Sequence, residues 1–387
     1  MSDPASRPVP PTPVSAVQAQ ALDRGELPPV EEVRHGVWSI AFPFGDGDFS
    51  LGYLIEGSDG ALALIDPGWA DDANLDRLEA ALREIDHSMA DIALVAVTHL
   101  HADHLGGADA VRRASGAHIA LHSTEQRALD ERTADAAAAD ADIARWGAPA
   151  DDEEALVASW GSGRHLPRVT ADLLLADGDE LPIAGRRLRA VHTPGHTAGH
   201  LCFVEPEQRL IFTGDHVLPR INPGIGLGGR ADGNPLDDYL ASLGRVIALD
   251  VSGADALEVC PGHEYRFVGL AERAQALVDH RAARSADAAA ALDSLAGARE
   301  SPTDADTTVA SASDAGTTHA GTTDPSATDA RTTDASLDRP TVWQVAERMS
   351  WTGGIASLHG YRLGSALAQT EWHVQALGRL GELRPSS

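Results

Sequence analysis

The sequence predicts an α/β fold made of two similar halves. Short apolar runs bounded by Gly, Asp and Pro, the pattern of strands and turns, occur over about 37–97 and again over about 173–260. Runs with a helical spacing of apolar residues lie between and after them. Strands with interspersed helices, followed by the same order again, are typical of two α/β units. Hydrophobic residues make up 43% of the chain, enough for a large core, and that core must be mainly aliphatic because only 4% are aromatic.

The first half begins with strands joined by tight turns. Its first helix is indicated by Leu75, Leu78 and Leu82, which fall on one helical face. The predicted strands cover 37–42, 51–55, 61–65 and 92–97, and the predicted helices cover 74–85 and 123–146. An acidic and irregular segment then runs to about Arg168, and we expect it to form a lid or an entrance wall.

The second half repeats this organisation. The predicted strands cover 173–175, 187–191, 201–204, 210–212 and 256–260, and the predicted helices cover 236–249 and 270–295. Together the two halves predict a main domain over 31–300.

Three further segments have a different composition. Residues 1–30 are rich in Pro, Ala and Gln and predict a disordered arm. Residues 301–339 consist mostly of Thr, Asp, Ala and Ser, which predicts a flexible acidic linker. Residues 340–387 regain apolar periodicity and predict a small helical unit of their own.

Charge and cysteine usage limit the classes of function. The chain has 58 Asp and Glu against 30 Lys and Arg, all of which are Arg, and its formal net charge is −28. Such a field repels phosphate backbones, so we expect a small-molecule substrate more than a nucleic acid. Cys202 and Cys260 lie in apolar runs and are expected to be reduced, buried thiols. No signal peptide or membrane span is predicted, so we expect a cytoplasmic protein without a membrane partner.

The segment Thr98–Gly107, which reads THLHADHLGG, follows directly on an apolar strand. It carries His99, His101, Asp103 and His104 within six residues. Side chains two apart in an extended segment point the same way, so His99 and His101 can bind one ion while the other two face a neighbouring one. Imidazole and carboxylate suit Zn²⁺, with Fe and Mn as alternatives.

Four further ligand-type residues occur at or just after strand ends. Asp66 ends the run ALALIDPG, His196 follows Pro-Gly in TPGHTAGH, Asp215 ends FTGDH, and His263 follows Pro-Gly in CPGHE. A Pro-Gly-His string alone predicts only a turn. Their common position after strands predicts that they meet at one site, because such loops assemble sites in α/β proteins.

These motifs resemble the metallo-β-lactamase superfamily over about 37–284. The resemblance implies an αββα sandwich, with His99, His101 and His196 at one metal, Asp103, His104 and His263 at the other, and Asp215 bridging the two. It also implies that Asp66 and His200 hold the ligands in place. Two divalent ions would share a hydroxide at neutral pH, with Asp215 and Asp103 as the catalytic carboxylates. The implied protein is a metal-dependent hydrolase.

Two branches of the superfamily are similar to this chain. The strings TPGHTAGH, FTGD and PGHEY resemble hydroxyacylglutathione hydrolase (glyoxalase II), a thioesterase in which the tyrosine after the last histidine, here Tyr265, contacts the substrate. That family also uses a lysine, which this chain lacks. The strings YLASL and DHR, together with the tail, resemble lactamase-β-2-like proteins, which carry a C-terminal winged helix and include endoribonucleases.

Three functions therefore stay open. We favour hydrolysis of a thioester, lactone or related small ester. The alternatives are an endoribonuclease or other phosphodiesterase, and a mono-iron persulfide dioxygenase. We expect the tail to shape access or assembly, including a homodimer, without supplying catalytic groups, and to bury Trp343, Leu377 and Leu380 against the main domain or a partner chain.

Overall fold

The structure is a computed structural model, and eleven strands and ten α-helices lie in the part of the chain that it describes. That part covers residues 10–45, 47–160, 167–228, 232–250, 256–300 and 339–384.

The first half forms a seven-stranded sheet in sequence order. Its first four strands are antiparallel neighbours, and the last four are parallel neighbours. The strands are β1 (Glu31–Arg34), β2 (Val37–Phe44), β3 (Asp48–Glu56), β4 (Leu62–Ile65), β5 (Ile92–Ala96), β6 (His118–His122) and β7 (Leu173–Leu175).

The second half forms a four-stranded sheet with strands β8 (Arg189–His192), β9 (Leu201–Glu205), β10 (Leu210–Gly214) and β11 (Glu258–Pro261). Their order in the sheet is β11-β10-β9-β8, in which only β10 and β11 are parallel.

The helices lie between these strands and at both ends of the chain. They are α1 (Ala16–Arg24), α2 (Asp72–Glu84), α3 (Ala102–Leu105), α4 (Ala108–Ser115), α5 (Ser123–Trp146), α6 (Ala150–Ser159), α7 (Pro235–Leu249), α8 (Leu270–Glu300), α9 (Val342–Ala346) and α10 (Gly360–Ala376). Among the described residues, no helix is long and apolar enough to cross a membrane.

The core is layered, because each sheet is apolar on both faces. Side chains such as Tyr53 and Phe212 meet between the two sheets. The other face of the first sheet packs against α2, α4 and α5, and that of the second against α7 and α8. This arrangement confirms the predicted αββα sandwich. Cys202 and Cys260 are free and buried, as predicted.

The predicted disordered arm over residues 1–30 is wrong for the part that is described. Helix α1 docks onto both sheets through polar contacts. Gln18, which is 1% exposed, donates to Ser39 Oγ at 3.0 Å and accepts from the backbone N–H of Arg266 at 2.9 Å. Because polar side chains anchor this helix, apolar periodicity does not reveal it.

The segment expected to form a lid contains helix α6, and it is joined to the C-terminal tail. Trp146, Leu156 and Trp160 pack with residues of α8, α9 and α10 in one apolar cluster. The helical prediction for the tail is confirmed. The tail shares this cluster with the main domain, so it has no separate core. Residues 339–384 contain no strand, and the wing of a winged helix is a hairpin of strands.

The outcome for the three apolar residues of the tail is mixed. Trp343 is partly buried in the shared cluster, as predicted. The prediction is wrong for Leu377 and Leu380, which are 38% and 42% exposed, because both lie after the last full turns of α10. The predicted linker falls outside the described residues, apart from Arg339.

Glu371 on α10 makes a buried polar contact between tail and main domain. It is 5% exposed and accepts hydrogen bonds from Arg145 and from Trp146 Nε1, the latter at 2.9 Å. We expect Glu371→Ala to lower the free energy of unfolding by about 1–3 kcal/mol, because it leaves two donors unpaired. Urea unfolding measures this.

The matched control is Glu382→Ala, which removes the exposed partner of Arg379 in the same tail. We expect a change below about 0.5 kcal/mol, since exposed ion pairs contribute little. Equal losses in the two variants would contradict the shared core.

Candidate metal centre

Seven predicted ligands meet at one edge of the sandwich. Their potential donor atoms form two groups, within each of which all the atoms lie within 4.8 Å of one another. The first group is His99, His101, His196 and Asp215, and the second is Asp103, His104 and His263. Most follow directly on strands β5, β10 and β11, whose carboxyl ends reach this edge. His196 lies in the loop between β8 and β9.

The imidazoles of the first group point bare nitrogens at each other. His99 Nδ1 lies 3.0 Å from Thr98 Oγ1, His101 Nε2 2.9 Å from the Leu227 carbonyl, and His196 Nδ1 2.8 Å from the Gly224 carbonyl. Each of these outer nitrogens therefore carries the proton that it donates. The inner nitrogens, which keep lone pairs, are 3.0 and 3.1 Å apart. Facing lone pairs repel unless a cation lies between them.

The second group has the same arrangement. His104 Nδ1 contacts Asp66 Oδ2 at 2.9 Å, and His263 Nδ1 contacts the Phe49 carbonyl at 2.9 Å. Their inner Nε2 atoms are 3.3 Å apart, and that of His263 is 3.3 Å from Asp103 Oδ2. The residues present therefore fit a second cation.

Asp215 connects the two groups. Its Oδ2 lies 3.6 Å from His196 Nε2, while its Oδ1 lies 3.3 Å from His263 Nε2. Oδ1 is buried and has no hydrogen-bond partner among the described residues. The Asp215 backbone N–H donates to His200 Nε2 at 3.3 Å, and His200 Nδ1 lies 2.9 Å from Thr193 Oγ1. His200 thus holds the main chain of Asp215, which matches its expected supporting role.

The electrostatics of the site favour added positive charge. Burial opposes protonation of His104, but the Asp103 and Asp215 carboxylates outweigh it and raise its pKa to about 9. Burial, followed by the His101 imidazole, lowers the pKa of His196 to about 4. The first group therefore offers neutral imidazoles, and the second holds an excess of negative charge that a metal ion would balance.

Asp66 braces the segment that carries four of the ligands. It accepts from the Thr98 N–H at 2.8 Å, from Thr98 Oγ1 at 2.7 Å and from His104 Nδ1. Its φ of +52° is strained for a non-glycine residue, and these contacts hold it there. This geometry agrees with the expected role of Asp66.

A loop over residues 223–228 fixes two of the imidazoles. Its Gly224 and Leu227 carbonyls accept from His196 and His101. Helix α10 backs this loop, because Trp372 packs where a Cβ on Gly226 would lie, 2.6 Å from Trp372 Nε1. The tail therefore contributes to the shape of the metal centre.

Glu125 is a site residue that the sequence did not indicate. It is fully buried in the first turn of α5 and accepts from the Leu100 N–H at 2.8 Å and from the Gly199 N–H at 2.5 Å. It thus links the two histidine motifs. Burial raises its pKa to about 7, although these donors oppose the shift. A glutamate in a helical first turn is common, so its position in the sequence carried no signal.

The prediction that Tyr265 contacts the substrate is wrong. The side chain is 3% exposed and packs in the core outside the second sheet. Its hydroxyl donates to the Pro11 carbonyl at 3.3 Å. Glu264 adopts a φ of +72°, so the chain turns sharply between His263 and Tyr265. The N-terminal arm covers this tyrosine.

The sequence profile of the metallo-beta-lactamase superfamily matches residues 45–263. Two relatives match about half of the chain. The acyl-coenzyme A thioesterase MBLAC2 of Gallus gallus is 30% identical over 45% of this chain and 57% of its own. A hydroxyacylglutathione hydrolase of Cereibacter sphaeroides is 32% identical over 48% of this chain and 52% of its own. The chain thus spans little more than half the length of these relatives.

Solved structures resemble a larger part of the chain. A metallo-beta-lactamase family protein of Thermus thermophilus has a TM-score of 0.63 and 25% identity, and the match covers 90% of this chain and 95% of that one. A beta-lactamase domain protein of Burkholderia ambifaria has a TM-score of 0.53 and 26% identity, covering 68% of this chain and 78% of that one.

The contacts of Glu125 predict a pH-dependent effect on stability. Its raised pKa means that the folded protein binds this proton more tightly than the unfolded chain, so its contribution is full below about pH 4.5 and falls as the pH rises through about 7. Glu125→Gln places an amide donor against a backbone N–H, and we expect it to cost about 1–3 kcal/mol. The deficit should be smaller at pH 7.5 than at pH 5, measured by urea unfolding of chelator-treated protein. A deficit that grows with pH would refute this account.

Proposed function

Because the chain belongs to the metallo-β-lactamase superfamily, we propose that it is a hydrolase that binds two divalent metal ions and cleaves a thioester or related small ester. The proposed ligands are the seven clustered residues: His99, His101 and His196 for one ion, Asp103, His104 and His263 for the other, and Asp215 for both.

The convergence of bare imidazole nitrogens is the observation that carries the proposal. Five histidines have their outer nitrogen committed to an oxygen acceptor, and their inner nitrogens approach each other to 3.0–3.3 Å. Folding side chains into this arrangement costs free energy unless cations accept the lone pairs. Such outer contacts are also how metal-binding histidines are usually oriented.

The chain's own residues have separate roles in this reaction. When bound, two divalent ions supply an activated water and polarise the substrate oxygen that gains charge. Asp215 lies with one oxygen toward each group, so it can hold both ions and orient the nucleophile. Asp103 faces the nitrogens of His104 and His263, and it neutralises charge on that side. Asp66 keeps the proton of His104 on Nδ1, away from the metal side.

The preference for a thioester or small ester rests on similarity and charge. The names of both curated relatives describe hydrolysis of an acyl group from a thiol carrier. A net charge of −28 disfavours a polyanionic nucleic acid. The complete second group favours two ions over the single iron of a dioxygenase. Imidazole with carboxylate suits Zn²⁺, and Fe or Mn remain alternatives.

The proposal predicts a binuclear enzyme. Metal analysis of purified, metal-loaded protein should give about two ions per chain, and chelation should remove activity on a thioester panel. Asp215→Ala should abolish turnover, because it removes the shared carboxylate. His35→Ala is the control, since that histidine is fully exposed, and it should behave as wild type. One ion per chain at full loading would rule out the binuclear site.

The brace at Asp66 predicts a different outcome. Asp66→Ala should weaken metal affinity by roughly 10–100-fold while saturating metal restores most of the activity, because Asp66 acts through His104. Titration with a competing metal indicator measures the affinity. An unchanged affinity would contradict this role.

A further inference from the structure

The C-terminal helix presents one face to the loop that fixes two imidazoles. Tyr361, Ser365 and Gln369 are spaced four residues apart on α10, so they lie on this face. Gln369 Oε1 accepts from Arg281 at 2.8 Å, and Arg281 also donates to the Pro223 carbonyl. A Cβ on Gly224 would lie 3.4 Å from Ser365 Oγ.

Tyr361 therefore lies one helical turn beyond the end of this contact, toward the cavity over the metal centre. One turn is about 5.4 Å. The direction agrees with the electrostatics: enclosure by the protein, and then the Asp103 and Asp215 carboxylates, raise the pKa of the Tyr361 hydroxyl. That hydroxyl lies within reach of the field of both carboxylates, and at neutral pH it carries a proton that it can donate.

The ring of Tyr361 is held from one side. It packs at 38° against Trp160 with centroids 5.3 Å apart, and Trp160 in turn contacts Trp146 at 5.9 Å. Gly364 allows this approach, because a Cβ there would lie 2.5 Å from the Trp160 ring. Tyr361 itself is 45% exposed. A large aromatic residue that is fixed on one face and open on the other presents a rigid, amphipathic contact surface.

We propose that Tyr361 is a substrate-binding residue of the metal site, where its hydroxyl donates a hydrogen bond to the acyl oxygen of the substrate. The ring, seated on Trp160, forms the adjoining wall. The inference rests on the proposed hydrolysis of an acyl ester or thioester, and it assigns to the C-terminal helix a direct contact with that substrate. A donor aimed at the oxygen that gains charge accelerates acyl transfer.

The test is Tyr361→Phe, which removes only the hydroxyl and keeps the ring on Trp160. We expect kcat on an ester or thioester to fall roughly 100-fold, with metal content and Tm unchanged. Tyr265→Phe is the matched control, because it removes a tyrosine hydroxyl that bonds to Pro11 away from the site, and its kinetics should equal those of wild type.

A binding measurement separates this inference from the proposed function. Hexanoate, a simple acyl carboxylate, is titrated calorimetrically into metal-loaded wild type and Tyr361→Phe. We expect binding to the variant to be roughly three- to tenfold weaker, which corresponds to one lost hydrogen bond. If wild type cleaves no ester or thioester, the proposed function fails, while the hexanoate comparison still tests Tyr361.

Three outcomes would overturn the inference. They are wild-type turnover in Tyr361→Phe, equal hexanoate affinity in the two proteins, including no binding by either, and a loss of metal or Tm that accounts for the kinetic defect.

Discussion

The repulsion among seven converging ionisable side chains is the constraint on which the rest of the structure depends. Imidazole lone pairs and carboxylate oxygens meet within a few ångströms in a buried site. Nothing in their own chemistry holds them together without cations, so the fold has to. The holding groups are the Asp66 carboxylate, the backbone carbonyls of Phe49, Gly224 and Leu227, and the Thr98 hydroxyl.

This constraint extends outward through successive contacts. Glu125 joins the backbones of the two histidine motifs, although burial of its carboxyl group is unfavourable. The loop over residues 223–228 carries two of the carbonyls, and Arg281 and α10 hold that loop. The tail, which looks like an appendage in the sequence, is therefore part of the structure around the site. Displacing it would release carbonyls that orient His101 and His196.

The sequence predicted those features that depend on local patterns. The ligand motifs were identifiable because each residue follows a strand or a Pro-Gly turn, and helix α5 begins and ends where its composition indicated. Contacts between distant segments could not be read this way. Glu125 is an ordinary helical glutamate until folding brings Gly199 to it, and α1 is held by Gln18 instead of an apolar stripe. Tyr265 was misassigned because similarity of a short string does not fix the direction of a side chain after a turn at positive φ.

The position at which the chain leaves α8 and returns has a consequence for evolution. The last turns of α8 and the start of the tail lie against each other: Leu292 and Leu295 pack with Val342, and Arg379 pairs with Asp293. The two ends of the intervening sequence are thus pinned to the same helix. The entropy of closing a loop between fixed ends grows only logarithmically with its length, by about 0.6 kcal/mol for each doubling. Insertions and deletions at this point are nearly neutral for stability, so related chains can differ greatly in length here while keeping the same architecture.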